Sequence, residues 1–563
     1  MSVYFYSRVA DLKITFNRKN RLYNCNILSI KRFIYNRFDW FCFVNNISFI
    51  SLFCKEPKKA NSVKAIFVLL DSLNRKALEV YSNKTNIRTP NFKRFQKKCI
   101  TFDNHYVGSL PCIPARRDLH TGRINFLHRS WGPLEPFDES FPELMKNNGV
   151  YSHIITDHHH YFADGGATYH QRYSSWELVR GQAIDRWKAE VKPDIEDLKK
   201  KYHSVQHHRK NYMINREYIN KEDEYCTPQV FSLAEDFLDK NKNHDNWFLQ
   251  IECFDPHEPF HAPDRFRKLY PNDYDGPILD WPIYDRVTET REEISELKAN
   301  YAALVTMVDE YFGKLLDYFD KYNLWDDTAL ILTTDHGFLL GEHDWWAKNR
   351  MPVYNEISHI PLMIYHPKFS RNSGSRIKSL TQTIDIMPTF LELFNIPIPK
   401  EVAGKSLLDI LENDEQIRKA LIYGYFGSAC NITDGQYTYF RYPEKMSASG
   451  LYEYTLMPTR MTSRFSIKEL SDLTLSNPFE FSKGLKLLRV RPKVSDNNDP
   501  LEVQGMSFED VRSLLFDISK DPDQKIELDK PEVVNYLLTE MSELMKKADA
   551  PQELFERLKL NIN

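Results

Sequence analysis

Short continuous apolar runs, each closing on a polar residue, punctuate the chain from Ala65 to His366. Ala65 to Leu70 (AIFVLL) stops at Asp71, Tyr151 to Thr156 (YSHIIT) at Asp157, and Trp247 to Ile251 (WFLQI) at Glu252. Ala329 to Thr334 (ALILTT) stops at Asp335 and Ile360 to Tyr365 (IPLMIY) at His366. Runs of this length and continuity belong to strands buried on both faces, as in a parallel sheet. Helical stretches lie between them, the clearest from Arg291 to Tyr322, where apolar and charged residues recur at helical spacing. Strands alternating with helices predict an α/β fold: a large doubly wound, mainly parallel sheet flanked by helices. Ligands bind such sheets beyond the carboxyl ends of the strands, so several acidic strand ends facing one crevice predict a metal site.

The pattern changes at both ends. Residues 1–60 are rich in Asn, Phe, Ile, Tyr, Lys and Arg without strand or helix periodicity. They read as an atypical N-terminal extension, either upstream of the true start or a basic amphipathic tail. Residues 61–414 carry the main α/β pattern. Beyond Asp414, Leu421 to Phe426, a turn at Asp434-Gly435 and Tyr437 to Tyr442 predict an antiparallel hairpin. Residues 415–563 therefore read as a smaller α+β subdomain with an antiparallel sheet. A helix from about Pro531 to Lys547 closes it, with Pro531 where the first helical turn tolerates proline.

Composition narrows the function. The 563 residues are 42% hydrophobic, enough for a large core, and 75 Lys and Arg against 78 Asp and Glu leave no bulk charge for nucleic acid or an anionic membrane. An anionic substrate must be held by local charges. Eight cysteines (Cys25, Cys42, Cys54, Cys99, Cys112, Cys226, Cys253, Cys430) show no C-x-x-C pairing. Free thiols in a reducing, cytoplasmic setting are the expectation. The apolar run from Trp40 to Cys54 is too short to span a bilayer and is broken by Asn45 and Asn46, so neither a membrane span nor a signal peptide is expected.

The strongest chemical signal is Pro111 to Arg123, PCIPARRDLHTGR. A helix starting near Ile113 puts Cys112 at its amino end, Pro114 in the first turn and Arg116 four residues on, over the same face. A nucleophile there meets free backbone N–H groups and a guanidinium, both of which stabilise growing negative charge. A buried structural thiol is the alternative for Cys112 taken alone. Asp335-His336-Gly337, followed by Leu340 to His343 and Lys348, adds a carboxylate and an imidazole at a strand end. With Asp71 and an oxygen on a modified Cys112, they make a mixed oxygen and nitrogen site for a divalent ion.

Cys112, Pro114 and Arg116 with Thr121-Gly122-Arg123 resemble the signature of the sulfatase family, in the alkaline phosphatase-like superfamily. The resemblance runs from Val63 onward and includes Leu515 to Leu528 (LFDISKDPDQKIEL). It implies that a maturation enzyme converts Cys112 to formylglycine. One hydroxyl of the hydrate attacks the ester and the other expels sulfate and restores the aldehyde. It also implies a metal held by Asp71, Cys112, Asp335 and His336, calcium by family habit, with manganese or magnesium as alternatives. His257, in FDPHEPFHAP, matches the family's mid-chain histidine and is expected to protonate the leaving alcohol beside Lys348. Arg116 would orient the sulfate, and His120, assigned to the same helical face, would reach the formylglycine.

Two features leave alternatives open. Most sulfatases carry two adjacent aspartates after the first strand, whereas this chain has Asp71-Ser72. Phosphonate monoester hydrolases, which resemble sulfatases and share the modified cysteine, tend to have a single aspartate there. In Asp157 to Tyr169 (DHHHYFADGGATY), His158 and His160 either line a substrate pocket or belong to a surface loop. Arg180, His343, Trp176, Trp345 and Trp346 are further candidates to grip or stack on a sugar. The expectation is a metal-dependent sulfuric ester hydrolase acting on a carbohydrate sulfate. A phosphonate or phosphodiester hydrolase, or a protein that binds sulfated sugars without turnover, are the rivals.

Overall fold

The computed structural model describes residues 63–350, 352–444, 450–492 and 512–561. The N-terminal extension, with Cys25, Cys42, Cys54 and the Trp40 to Cys54 run, lies outside the described residues. In chain order the principal strands are β1 (Lys64–Leu70), β2 (Ile100–Phe102), β3 (Ser109–Leu110), β4 (Tyr151–Thr156), β5 (Ser175–Leu178), β6 (Trp247–Cys253), β7 (Thr328–Thr334), β8 (Leu362–Tyr365) and β9 (Arg376–Ile377). All but β3 form one eight-stranded sheet in the order β9-β2-β8-β7-β1-β6-β4-β5. The core of that sheet is parallel, as expected: β1 pairs in parallel with β6 and β7, and β4 with β5 and β6.

Every residue of β1 is buried, because helices cover both faces of the strand. These include α1 (Cys112–Thr121), α2 (Cys226–Asn241), α3 (Arg291–Tyr322) and α4 (Ile386–Leu393). Ile66, Val68 and Leu70 pack with Leu297, Leu304 and Val308 of α3, while Ala65, Phe67 and Leu69 pack with Ile113 of α1 and Phe390 of α4. The Phe67 and Phe390 rings meet edge to face at 5.2 Å. Truncating Phe67 to alanine in such a core costs about 3–5 kcal/mol.

Register carries the sheet into chemistry. Leu70 lies opposite Cys253 on one side and Thr334 on the other, so Asp71 and Asp335 leave the sheet beside each other, with Glu252 one position back on β6. The last of the five apolar runs behaves differently: β8 is antiparallel to both β7 and β2. Its terminal His366 therefore points to the opposite edge of the sheet from Asp71 and Asp335.

A second, five-stranded sheet contains β10 (Leu421–Tyr425), β11 (Cys430–Thr433), β12 (Tyr437–Arg441), β13 (Leu514–Asp517) and β3. The Asp434-Gly435 turn joins β11 to β12, so Leu421 to Phe426 is not the hairpin partner of Tyr437 to Tyr442: an extra strand, Cys430–Thr433, lies between them. At the edge of this sheet β10 pairs in parallel with β3, two residues before Cys112. From Val63 onward the chain is one compact unit, and helix α5 (Pro531–Lys547) has the predicted bounds. Cys99, Cys112, Cys226, Cys253 and Cys430 are all free thiols. Among the described residues no helix is long and apolar enough to cross a membrane.

Candidate active site

The helix α1 starts at Cys112, with Pro111 as its N-cap residue. Cys112 is 3% exposed, and its Sγ lies 3.2 Å from His336 Nε2, 3.6 Å from Lys348 Nζ and 3.9 Å from Asp71 Oδ1. One turn on, Arg116 donates to the Cys112 carbonyl (3.1 Å), to Asp335 Oδ2 (2.6 Å) and to Glu252 Oε1 (2.8 Å), with Asp71 Oδ2 at 3.0 Å. Its planar fork suits this four-way arrangement, which a lysine could not reproduce. Gly337 is required next to His336 because a Cβ there would lie 1.9 Å from the Glu356 carbonyl oxygen.

Ser72 occupies the position where the family pattern has a second aspartate. Its backbone takes the left-handed φ of 61°, its N–H donates to Asp335 Oδ1 (3.1 Å), and its hydroxyl donates to Asp71 Oδ1 (2.7 Å) while accepting from Lys348 Nζ (2.6 Å). The hydroxyl thus links Lys348 to Asp71 without adding charge.

Asp71, Cys112, Asp335 and His336 each offer one ligand atom within 4.8 Å of the others, and all four are buried. Two carboxylates and an imidazole suit a divalent cation, with the Cys112 sulfur beside them. The imidazole is pre-oriented, with Nδ1 held at 2.9 Å by the Gly337 carbonyl and Nε2 turned inward. The residues present fit a metal.

Electrostatics divide the site. Burial pushes the Asp71 carboxyl up, but Lys348 and Arg116 beside it hold it well below the usual range. Burial and then Asp71 push the Cys112 thiol far up, so it is neutral. Burial lowers Lys348, yet the carboxylates around it, Asp71, Glu258 and Asp335, bring it above its ordinary value. Burial and then the Lys348 charge hold His257 well below its ordinary value, and burial lowers His336. Lys348 is the protonated group beside Cys112, and the imidazoles are neutral.

Residues 64–396 match the family described as Sulfatase, more than half of the chain, and residues 341–477 match the family described as N-sulphoglucosamine sulphohydrolase, C-terminal. The chain belongs to the sulfatase family. This sulfatase, a sulfuric ester hydrolase, is 24% identical over 531 residues to N-acetylglucosamine-6-O-sulfatase of Bacteroides thetaiotaomicron, across 82% of this chain and 92% of the relative. It is 28% identical to the ulvan-active sulfatase of Formosa agariphila, across 71% and 78%. Among solved structures, one in complex with its substrate D-glucosamine-2-N,6-O-disulfate shares the fold with a TM-score of 0.60, at 17% identity over 87% of this chain and 99% of that one. The phosphonate monoester hydrolase of Agrobacterium radiobacter shares it with a TM-score of 0.58, at 17% identity over 86% and 95%.

Not every residue singled out from the sulfatase sequence joins the cluster. His257 lies within electrostatic reach of Lys348, Asp71 and His336, and its ring is 4.1 Å from that of Phe254, which in turn lies 5.1 Å from His158. His158 is wholly buried with neither ring nitrogen partnered, the half-buried His160 lies 5.2 Å from it, and both are within electrostatic reach of Arg116 and Asp71. His120 does not join. Its Nδ1 bonds Ser140 Oγ (2.7 Å) and its ring packs on Phe141, Tyr169 and Tyr173. Eight residues along an α-helix amount to about 80° of rotation and about 12 Å of rise, not the same face.

Arg180 is neutralised by both oxygens of Asp185, and His343 stacks on Tyr354 at 3.6 Å with its Nε2 on Glu356. Neither is a free grip for substrate. Trp346 is core, donating to Glu289, and Trp345 is buried beneath Arg286. Sequence reasoning missed Glu258 altogether and took Glu252 only as a strand end. Glu258 accepts from Tyr284 and holds His257 Nδ1 through its carbonyl (2.6 Å), with carboxylate Oε2 at 3.3 Å. Its place beside His257 in the same motif was the available signal.

Proposed function

We propose that this sulfatase hydrolyses a sulfate ester on a carbohydrate, using a formylglycine made from Cys112 by a maturation enzyme and a divalent metal held by Asp71, Asp335 and His336. The observation that carries the reading is the convergence of Cys112, His336, Lys348 and Asp71 within hydrogen-bond or near-contact distance in one buried cluster. The relatives' names, N-acetylglucosamine-6-O-sulfatase and ulvan-active sulfatase, support the carbohydrate class. Formylglycine supplies a hydrated aldehyde hydroxyl as the nucleophile, which the neutral thiol of Cys112 is not. The metal, calcium by family habit, supplies positive charge where the sulfate oxygens bind.

The chain's own residues do the rest. Arg116, fixed by Glu252, Asp335 and Asp71, holds the reacting residue at the helix amino end. Lys348 and the neutral N–H groups of His158 and His160 bind sulfate oxygens. The arriving anion stabilises an imidazolium, raising His257 from its depressed resting value, so that it donates a proton to the leaving alcohol with Lys348 as the adjacent charge.

The test is the mass of the Cys112 peptide from a host with an active maturation enzyme, together with turnover of an aryl sulfate and an aryl phosphodiester. Conversion of thiol to aldehyde, sulfate-selective turnover and loss of turnover in a folded Cys112→Ala variant are expected. An unmodified thiol, with a control substrate modified in the same cells, defeats the mechanism. Ser72 in place of a second aspartate favours one further reading, a phosphonate or phosphodiester hydrolase on the same site, and preference for the phosphodiester would select it.

A further inference from the structure

Arg209 is a cation with no acid of its own. Two other arginines of the same insertion between β5 and β6 are neutralised, Arg180 by Asp185 and Arg216 by Asp280. Arg209 instead sits over the indole of Trp281, its guanidinium carbon 4.0 Å from the ring centroid. No described carboxylate lies within ion-pair distance of it, and Glu258 acts on it only from farther off. Its Nε and the Nε1 of Trp281 are both buried N–H donors without an acceptor, and Trp281 is only 5% exposed. Buried donors are paired in the great majority of cases, so two orphan donors on a stacked pair of side chains leave this place able to take an acceptor-rich group.

That place adjoins the catalytic pocket. Trp281 packs in one cluster with Phe254, whose ring contacts His257 and faces His158. Tyr284, which donates to Glu258, lies within electrostatic reach of both Cys112 and Arg209. We propose that Arg209 and Trp281 form a subsite for a second anionic group of the substrate, a sulfate or a carboxylate carried on the same sugar or on its neighbour. The proposal rests on the carbohydrate sulfatase reading. A guanidinium over an indole with its own unpartnered N–H offers several donors of the kind that carboxylate and sulfate oxygens accept.

The experiment measures kcat/KM on matured full-length protein for monosulfated amino sugars, the same sugars with a second sulfate, and the same sulfate ester linked to a uronate. 4-Nitrophenyl sulfate runs alongside. A preference of about tenfold or more for one doubly charged series is expected, the size of a charge-assisted hydrogen bond, and the preferred series identifies the group. In Arg209→Gln that ratio falls toward one. In Arg209→Lys it is partly kept, and in Trp281→Phe, which keeps the ring but deletes the N–H, it drops to an intermediate value. Because the ratio is taken within one preparation, a variant that merely folds less well lowers both rates and leaves the ratio unchanged. Equal rates on all sugar series in the wild type, or an unchanged ratio in Arg209→Gln, overturn the subsite. Absence of turnover on 4-nitrophenyl sulfate and on every sugar sulfate overturns the parent reading instead.

Discussion

His257 and Glu258 are neighbours in sequence with different duties. The Glu258 carbonyl and carboxylate both face His257 Nδ1, which fixes the proton on that nitrogen and leaves Nε2 as the other ring nitrogen for proton transfer. On the proposed reading a carboxylate in this position also stabilises the imidazolium that must form. Glu258→Gln is therefore expected to slow alkyl and sugar sulfates by about tenfold or more, in line with typical general acid–base contributions. It should affect 4-nitrophenyl sulfate much less, since that leaving group needs no proton; equal slowing of both would mean a packing role only. The residues of this site divided sharply in legibility. Cys112, Arg116, Asp335 and His336 were readable because their spacing is itself the chemistry. His120 and His343 were not, because residue type names a chemistry while the surrounding packing, Tyr169 and Tyr173 for one and Tyr354 for the other, decides whether it is used.

At the scale of the element, the Thr121-Gly122-Arg123 tail turns out to be a helix stop. Gly122 takes φ 63° as the C-cap of α1 and its N–H returns to the Asp118 carbonyl. A side chain there would also meet Val402 at 2.7 Å. Arg123 then joins Arg117 on the buried Asp138, at 2.5 and 2.8 Å, tying α1 to the loop that follows. Burial raises the Asp138 carboxyl, but Arg117 and Arg123 bring it net below its ordinary value. A depressed folded-state pKa means stability present above the unfolded aspartate range and lost as pH falls through the folded value. Asp138→Asn should lower the melting temperature at neutral pH and flatten its fall in acid. A melting temperature equal to wild type at pH 7, where the loss of a buried ion-pair partner typically costs about 3–5 kcal/mol, would contradict this. The apolar runs foretold where strands are but not their direction: β8 looks like its neighbours in sequence and runs the other way, since side-chain periodicity is the same in either sense.

At the scale of the whole molecule, composition and alternation gave the α/β class, but no local signal could reveal that Ser109–Leu110 pairs with a strand more than three hundred positions later. Lys76 adds a second tie, bonding Glu356 at 2.5 Å and Asp523 at 2.7 Å. A chain ending at residue 414 loses β10 to β13 and uncovers the apolar cluster around Tyr106, Val107 and Leu110. It should be insoluble or protease-sensitive, and a stable soluble fragment would show that the two sheets are separable. The shared sheet has a temporal meaning as well. Once β10 docks beside β3, Cys112 and the whole stretch to Arg123 are inside the protein, closed to any oxidising enzyme. On the proposed reading, modification must precede that closure. A ribosome adding about 5–20 residues per second needs roughly 15–60 s to make the intervening chain, which is the interval open to the enzyme. Folded, unmodified protein given active maturation enzyme should stay a thiol while the same chain unfolded in urea and diluted into the reaction is converted, so the yield of active sulfatase is set by a race against the ribosome.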